Sequence, residues 1–477
     1  MTNRAPTRPG NRWLVLVAMT GALSMVTLDQ TVVSVALPTM AHDLPLTASG
    51  QQWVVNAYVL AMAGLVAIGG KLGDRFGQVS TFRAGVILFF LASAACGLTP
   101  RGTMGESWMI AARAVQGVGA ALMMPVSAVI VMAAFAVHER GRAMAIYVGL
   151  SQVFLAVGPL LGGILTQQVS WRSVFWLNVP VGIAALVLVQ VARPANTRQD
   201  GAQVNPFSAA LLVAGLGTTV YAIQEANTWS WTSPVTVSLL AGGLALTLLF
   251  VRTQLRSAQP LVDVRLFARP GFPGNTAVVG LSQFALLAIV LFSSIYLQEL
   301  LGFSPMECGL AALPLILPIA VGSQLAGRWY DQSGVRPTVL TGLLLAVVGV
   351  AVWAASLLTL NYLPQLPGMI LTGLGIGLMS PTNTDALGRV SGADRAQASG
   401  LVQVVRQLGG TLGIAVIGGL ILSYPGTGPG REHTATAIAA GFVAAAIIVA
   451  IALIIGWRTL PRERIIESGD EAMAVPL

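Results

Sequence analysis

The chain has 477 residues, of which 55% are hydrophobic and only 9% are charged, and its formal net charge is +8. So large an apolar share with so few charges cannot be buried in the core of a water-soluble domain. The composition therefore predicts an integral membrane protein. The positive charge fits loops that face an anionic leaflet, and no basic module with interleaved aromatic residues supports nucleic-acid binding.

Long apolar segments without charges recur along the whole chain. Because about 20 mostly apolar residues cross a bilayer as one helix, the sequence predicts about fourteen transmembrane helices. In chain order, the predicted spans are residues 13–38, 51–70, 80–98, 107–133, 143–166, 173–192, 206–224, 235–251, 273–298, 307–327, 337–357, 365–387, 397–423 and 435–457.

The basic residues indicate the orientation of these helices. If the N-terminus is placed in the cytoplasm, only Arg101, Arg172 and Arg431 fall on the outer side. All other Lys and Arg residues fall on the cytoplasmic side, except Arg113 and Arg406, which lie deep inside predicted helices. Cytoplasmic loops of membrane proteins retain Lys and Arg in this way. The sequence therefore predicts a multi-pass protein of the cell membrane with both termini in the cytoplasm.

The sequence offers no site for nucleotide hydrolysis or for a cofactor. The nearest approach to a phosphate-binding loop, GLVAIGGK at residues 64–71, continues into leucine where serine or threonine is required. The three histidines fall in different loops, so no metal site is expected. We therefore predict that the protein is not an enzyme, has no catalytic residues and no cofactor, and draws on an ion gradient.

Two pairs of motifs indicate an internal repeat. GKLGDRFG at residues 70–77 is echoed by GRWYDQSG at residues 327–334, an offset of 257 residues. GVGAALMMP at residues 117–125 is echoed by GLGIGLMSP at residues 373–381, an offset of 256. Two similar halves with a binding site at their interface are typical of alternating-access carriers.

Four motifs resemble those of the major facilitator superfamily, in its fourteen-helix drug:proton antiporter branch. They are LDQTVVSVALP at 28–38, GKLGDRFG at 70–77, RAVQGVGAA at 113–121 and GLSQVFLAVGPLLGG at 149–163. The resemblance implies an all-α membrane fold with two six-helix bundles and two inserted helices. The implied division is a tail at 1–12, an N-terminal bundle at 13–193, inserted helices at 194–256, a C-terminal bundle at 257–458 and a tail at 459–477.

The motif GKLGDRFG lies at the predicted cytoplasmic end of the second helix. In the family this motif favours the outward-facing state, which implies a gating role here. The matching positions are Gly70, Asp74, Arg75 and Gly77. The family usually continues with two basic residues, whereas Gln78 and Val79 follow here, so we expect a weaker latch or one that uses Arg83. The alternative is a turn whose charges only set the topology.

The GPLLGG segment of the fifth helix combines small residues with a proline. Small residues allow close helix contact, and proline weakens the backbone hydrogen bonding of a helix. We therefore expect a hinge or a tight seal, with simple packing as the alternative. The family associates this pattern with antiporters, which favours export over uptake. The residues concerned are Gly158, Pro159, Gly162 and Gly163.

Asp29 lies within the first apolar span. A charged aspartate at the bilayer centre costs about 2.5–3.5 kcal/mol on insertion scales, so it should pair, become protonated or face water. Arg113 is the expected partner, because both residues lie at similar depths below the outer ends of their helices. The resemblance places both at the cavity of one bundle. We predict that Asp29 and Arg113 couple transport to protons; the alternative is a purely structural carboxylate and arginine.

Polar and aromatic residues inside other spans are candidates for binding substrate in a central cavity. They are Asn56, Tyr58, Gln116, Gln152, Phe154, Gln283, Phe284 and Arg406. Arg406 has two open interpretations, binding of an anionic substrate group or packing of the bundle. Asp385, near a helix end, is expected at a solvated interface.

The sequence favours a proton-coupled antiporter that exports amphipathic small molecules, such as drugs, antibiotics or metabolites, by alternating access. Its expected partners are a small-molecule substrate, protons and the lipid bilayer. An uptake symporter for a small organic solute is the first alternative, against which the fifth-helix pattern and the inserted pair argue. The second is a membrane sensor or scaffold, in which the four motifs would have no role. The substrate's identity and the oligomeric state stay open.

Overall fold

The computed structural model describes residues 11–136, 139–198, 205–257, 260–390, 395–424, 430–468 and 471–475. The helices are α1 (Asn11–Asp43), α2 (Ala48–Phe76), α3 (Gln78–Gly97), α4 (Gly105–Ala134), α5 (Arg140–Gln168), α6 (Trp171–Trp176), α7 (Asn178–Ala192), α8 (Pro206–Trp229), α9 (Pro234–Arg256), α10 (Phe272–Ile295), α11 (Pro305–Ala311), α12 (Leu313–Ser333), α13 (Val335–Leu357), α14 (Leu366–Leu378), α15 (Pro381–Gly388), α16 (Arg395–Leu422) and α17 (Arg431–Thr459). A π-helical turn extends α10, and an antiparallel pair, β1 (Arg464–Ser468) with β2 (Glu471–Val475), follows α17 within the predicted tail.

Thirteen helical segments among the described residues are long and apolar enough to cross a membrane. A fourteenth, formed by Arg142–Leu155 and Val157–Gln168, is bent by 43° and qualifies if its two parts count as one span. Some spans contain short breaks, so that α6 and α7 together make one span, as do α11 and α12. Each of the fourteen predicted segments is therefore helical, and the prediction of a helical multi-pass membrane protein is confirmed.

The chain forms two compact units. The first consists of residues 1–213 and 304–310, and the second of residues 214–303 and 311–477. In the first unit α4 packs on α2 and α3, and α1 packs on α5. In the second unit α14 packs on α12 and α13, and α10 packs on α16.

Glycines bring α4 against α2 at backbone distance. A Cβ atom on Gly117 would collide with the backbone carbonyl of Tyr58, and one on Gly69 would collide with that of Ala121. Membrane helices associate closely where small residues let their backbones approach. This contact fixes the depth at which α4 presents its polar side chains to its neighbours.

The first helix is longer than the sequence analysis predicted. It continues through Pro38 to Asp43, because neighbouring helices can support the local loss of a hydrogen bond at a proline. The Asp43 carboxylate accepts hydrogen bonds from Arg172 at 2.6 Å, Trp171 at 2.9 Å and Arg101 at 3.1 Å. Two of the three arginines predicted on the outer side therefore share one acidic partner at the end of α1.

Candidate functional site

An ion pair connects α1 and α4 inside the first unit. Nη1 of Arg113 lies 2.5 Å from Oδ2 of Asp29, and the two side chains are 1% and 0% exposed. The Arg113 Nε atom also donates to the carbonyl of Val54 on α2, at 2.9 Å. The structure thus brings together the two residues that the sequence pairs, while their part in proton coupling stays a prediction.

Two further side chains complete the surroundings of this pair. Gln116 donates to Oδ1 of Asp29 at 3.0 Å and accepts from Arg113 at 2.7 Å, so both carboxylate oxygens have a donor. Gln116 follows Arg113 by three positions, which places both on one face of α4. The Tyr58 ring lies 4.3 Å from the guanidinium carbon, and its hydroxyl donates to the carbonyl of Val26 at 3.3 Å.

Gln116 and Tyr58, two of the residues predicted to bind substrate, contact the ion pair and are buried in this structure. Their role in substrate binding stays a prediction. Asp29 and Arg113 are buried as well, and Asp29 is paired, which is one of the three expectations for an acid inside the membrane. A buried ion pair persists only when its hydrogen-bonding capacity is satisfied, and Gln116 and α2 supply the missing partners.

The carboxylate of Asp74 in the GKLGDRFG motif is bound by an uncharged residue, Gln78. Nε2 of Gln78 donates to Oδ1 of Asp74 at 2.9 Å. Arg75 is exposed and stacks over the ring of Phe76 at 5.2 Å. Arg83 donates to Gln190 at 2.9 Å, so the expected support of the latch by Arg83 is not what this structure has.

Gly70 and Gly77 serve this turn in different ways. A Cβ atom on Gly70 would make ordinary contact with Pro125 of α4, at 3.8 Å. Gly77 has a φ of +100°, which favours glycine. A Cβ atom on Gly77 would also collide with the side chain of Asn196, which follows α7.

The role of Asn196 was not predicted from the sequence. Its Oδ1 accepts from the backbone N–H groups of Val79 at 2.9 Å and Ser80 at 3.4 Å. The carbonyl of the next residue, Thr197, accepts from the N–H of Gln78 at 3.1 Å. The segment after α7 therefore caps α3 from outside. The only sequence signal for it is that α3 begins after a glycine, which has no side chain to cap the helix.

The glycines of the GPLLGG segment lie where α5 meets other backbone. A Cβ atom on Gly158 would collide with Thr31 of α1, and one on Gly162 would lie 2.9 Å from the carbonyl of Val32. A Cβ atom on Gly163 would collide with the carbonyl of Pro305, in the part of α11 that belongs to the first unit. Pro159 lies among these glycines, next to the 43° bend of α5.

The remaining substrate-binding candidates lie on several helices. Asn56 is buried in α2, and Phe154 is exposed on α5. On α10, Phe284 is buried and Gln283 is half-buried, with Cγ of Gln283 3.5 Å from the place of a Cβ atom on Gly410. Arg406 is half-buried on α16 and forms no ion pair within the described ranges. The side chain of Gln152 lies outside the described part of the chain.

Asp385 is not at a solvated interface, so that expectation was wrong. Its side chain is 1% exposed and accepts from Asn275 of α10 and from Nε of Arg389, both at 2.7 Å. The hydroxyl of Tyr330, in the echoed motif on α12, lies 3.3 Å from its other oxygen. The carboxylate is buried because α10 and α12 cover this end of α15.

The chain resembles known proteins in both sequence and structure. A sequence profile of the Major Facilitator Superfamily matches residues 19–414 and 274–473. Puromycin resistance protein pur8 of Streptomyces alboniger is 36% identical over 415 residues, covering 85% of this chain and 81% of that protein. The tetracenomycin C resistance and export protein of Streptomyces glaucescens is 32% identical, covering 87% and 77%. Cephamycin export protein CmcT of Amycolatopsis lactamdurans is 34% identical, covering 90% and 89%.

Solved structures share the fold at low sequence identity. A peptide transporter POT in complex with sulfate superposes with a TM-score of 0.66 at 16% identity, covering 95% of this chain and 97% of that one. A bacterial homologue of the human lysosomal transporter Spinster gives 0.64 at 18%, with the same coverage. The fold is thus that of a helical membrane transporter. Within that class, the chain belongs to the Major Facilitator Superfamily, and the relatives named above are antibiotic resistance and export proteins.

Proposed function

We propose that this protein is a proton-coupled antiporter that exports amphipathic small molecules across the cell membrane by alternating access. Both termini face the cytoplasm, and in chain order the inserted pair α8 and α9 comes between two six-helix bundles. Relatives named for antibiotic resistance and export support the direction of transport. The buried pair of Asp29 and Arg113 is the observation that carries the proton coupling, since ionisable residues inside a membrane mark proton and substrate pathways.

Proton exchange at Asp29 requires a change of conformation. The ionised carboxylate is held by Arg113 and Gln116 and is buried away from solvent. Opening of the contact between α1 and α4 admits water, and protonation then removes the charge that holds Arg113 in place. In the opposite state the Asp29 proton is released, and the ion pair closes again. In this cycle the proton carried by Asp29 moves in the direction opposite to the substrate.

The gate and the substrate site belong to the same proposal. The turn with Gly70, Asp74, Arg75 and Gly77 gates one side of the cycle. The segment with Gly158, Pro159, Gly162 and Gly163 sets the contact of α5 with α1. Substrate contacts come from the residues predicted to bind substrate, with Arg406 meeting an anionic group. They are Asn56, Tyr58, Gln116, Gln152, Phe154, Gln283, Phe284 and Arg406.

Transport in proteoliposomes tests the proton coupling. Wild-type protein is expected to move a fluorescent amphipathic dye against an imposed proton gradient, in the exporting direction. Asp29→Asn cannot ionise, so it should lose gradient-driven transport and retain gradient-independent exchange of dye across the membrane. Asp43→Asn, at the outer end of the same helix, serves as the matched control and should keep the gradient dependence.

Two outcomes would contradict the proposal. Gradient-driven export that persists in Asp29→Asn would remove Asp29 as the coupling residue. Movement of dye and protons in the same direction would instead identify an uptake symporter, the alternative function.

A further inference from the structure

Helix α5 lacks one internal hydrogen bond at its bend. Pro159 has no N–H group, so the carbonyl of Leu155, four residues earlier, lacks the N–H donor that a regular α-helix supplies at that position. In the apolar part of a membrane an unpaired carbonyl costs free energy, and a neighbouring Ser or Thr often supplies the missing donor. Here Oγ1 of Thr31 on α1 lies 3.2 Å from the carbonyl oxygen of Leu155. The bend of 43° begins at this residue.

The Thr31 hydroxyl has one hydrogen and two acceptors within reach. The second acceptor is the carbonyl of Leu28 on its own helix, also at 3.2 Å. The Leu28 carbonyl is an interior carbonyl of α1, so it already receives the backbone N–H of Val32. The Leu155 carbonyl has no such donor. The hydroxyl therefore contributes more to stability when it donates to Leu155, because an unsatisfied buried acceptor is the costlier one.

The glycine next to the proline makes this hydrogen bond possible. A Cβ atom on Gly158 would collide with Oγ1 of Thr31 and would lie 3.1 Å from its Cβ. Any larger residue at this position would push α1 away from the bend. Gly158 leaves room for the Thr31 side chain, and Pro159 leaves the Leu155 carbonyl without its usual helical donor. The two residues thus act together.

Thr31 follows Asp29 by two positions, which turns the two side chains about 200° apart on α1. Asp29 faces Arg113 of α4, and Thr31 faces Leu155 of α5. We infer that Thr31 is a positioning residue of the transport cycle, whose hydroxyl holds the bend of α5 against the helix that carries Asp29. Its role in transport rests on the proposed antiporter function, whereas the hydrogen bond does not.

Three single variants test the inference by transport kinetics. Thr31→Val keeps the shape and removes the donor, so the maximal rate of proton-driven efflux should fall on the order of fivefold, as for one lost buried hydrogen bond, with KM unchanged. Thr31→Ser restores the donor and should restore the rate. Thr27→Val is the matched control: Thr27 also donates to α5, at Ser151 and 3.1 Å, but that carbonyl keeps its helical donor. It should stay near the wild-type rate.

A double-mutant cycle with Pro159→Ala separates this role from general packing. The Pro159→Ala substitution brings back the N–H group that the Leu155 carbonyl lacks, so Thr31→Val should have little further effect in that background. Equal effects of Thr31→Val in both backgrounds would overturn the inference. So would an equal loss in Thr27→Val, or a failure of Thr31→Ser to restore the rate.

Thermal unfolding of the purified full chain distinguishes failure of this inference from failure of the proposed function. If the wild type shows no proton-driven efflux, the antiporter function fails, but the hydrogen bond is still testable. Thr31→Val should lower the melting temperature when residue 159 is proline and leave it unchanged when it is alanine. A melting temperature that falls equally in both backgrounds contradicts the hydrogen-bond role itself.

Discussion

The carboxylate of Asp29 on α1 and the guanidinium of Arg113 on α4 neutralise each other. Arg113 is fully buried and has fixed acceptors in Asp29, Gln116 and the carbonyl of Val54. Removal of one member of such a pair leaves an uncompensated buried charge, which costs far more than removal of both members. Measurements of the free energy of unfolding therefore test this ion pair independently of transport.

Asp29→Asn should lower the free energy of unfolding by about 3–5 kcal/mol, because Arg113 loses its countercharge. The double variant with Asp29→Asn and Arg113→Gln should recover most of that loss, since no charge stays buried, yet it should not couple to protons. Unfolding in detergent solution measures the stabilities, and the proteoliposome assay measures the coupling. A double variant as unstable as the single one would contradict the interpretation of the pair as mutually compensating.

Helix α3 is capped by residues that lie far from it in the chain. Helix α3 begins at Gln78 with N–H groups that no side chain of its own caps. Asn196 and Thr197 supply these acceptors, and Gln78 in turn holds Asp74 of the gating turn. The segment that leads toward the inserted helices is thereby connected to the turn at which gating is proposed.

Asn196→Ala should reduce stability by about 1 kcal/mol, the typical cost of losing an N-cap. It should also speed hydrogen exchange at the backbone amides of Val79 and Ser80. Asn205→Ala is a matched control, since Asn205 accepts from the first amides of α8, Phe207 at 3.0 Å and Ser208 at 3.3 Å. That variant should speed exchange at α8 and leave α3 unchanged. Unchanged exchange at α3 in Asn196→Ala would contradict the cap.

The two halves of the molecule share motifs, but the second half has no counterpart of Arg113. The 256-residue shift that aligns GVGAALMMP with GLGIGLMSP places Met369 at the position of Arg113, and Met369 is a buried residue of α14. The second unit instead carries Asp385 with Arg389 near the end of α15, and Arg406 within α16. The proton coupling proposed here therefore belongs to the first half, although the repeat extends over both.

The predicted orientation of the whole chain is testable by cysteine labelling. Cys96 and Cys308 are buried and are not joined in a disulfide, so they should give little background with a membrane-impermeant maleimide. Thr103→Cys, in the exposed turn between α3 and α4, should be labelled on intact cells. Ala195→Cys, exposed after α7, should be labelled only after the membrane is permeabilised. Labelling of both on intact cells would contradict the orientation.

The sequence alone determined the number, order and approximate ends of the membrane helices. Length and hydropathy are local properties, so each span is recognised without knowledge of its neighbours. The pairing of Asp29 with Arg113 was also predictable, because the depth of a residue in the membrane is counted along its own helix. The first helix was predicted too short at Pro38, since its continuation depends on the helices around it.

Only the tertiary structure decided which side chains complete the site. Thr31 and Leu155 are 124 residues apart in the chain, and Asn196 and Val79 are 117 apart. These hydrogen bonds satisfy backbone groups that lack a partner within their own helix, the Leu155 carbonyl because of a proline and the Val79 N–H because α3 starts without a cap of its own. Which residue satisfies them depends on how the helices pack and not on the local sequence pattern. The burial of Asp385 was missed for the same reason, because the helices that cover it come from elsewhere in the second unit.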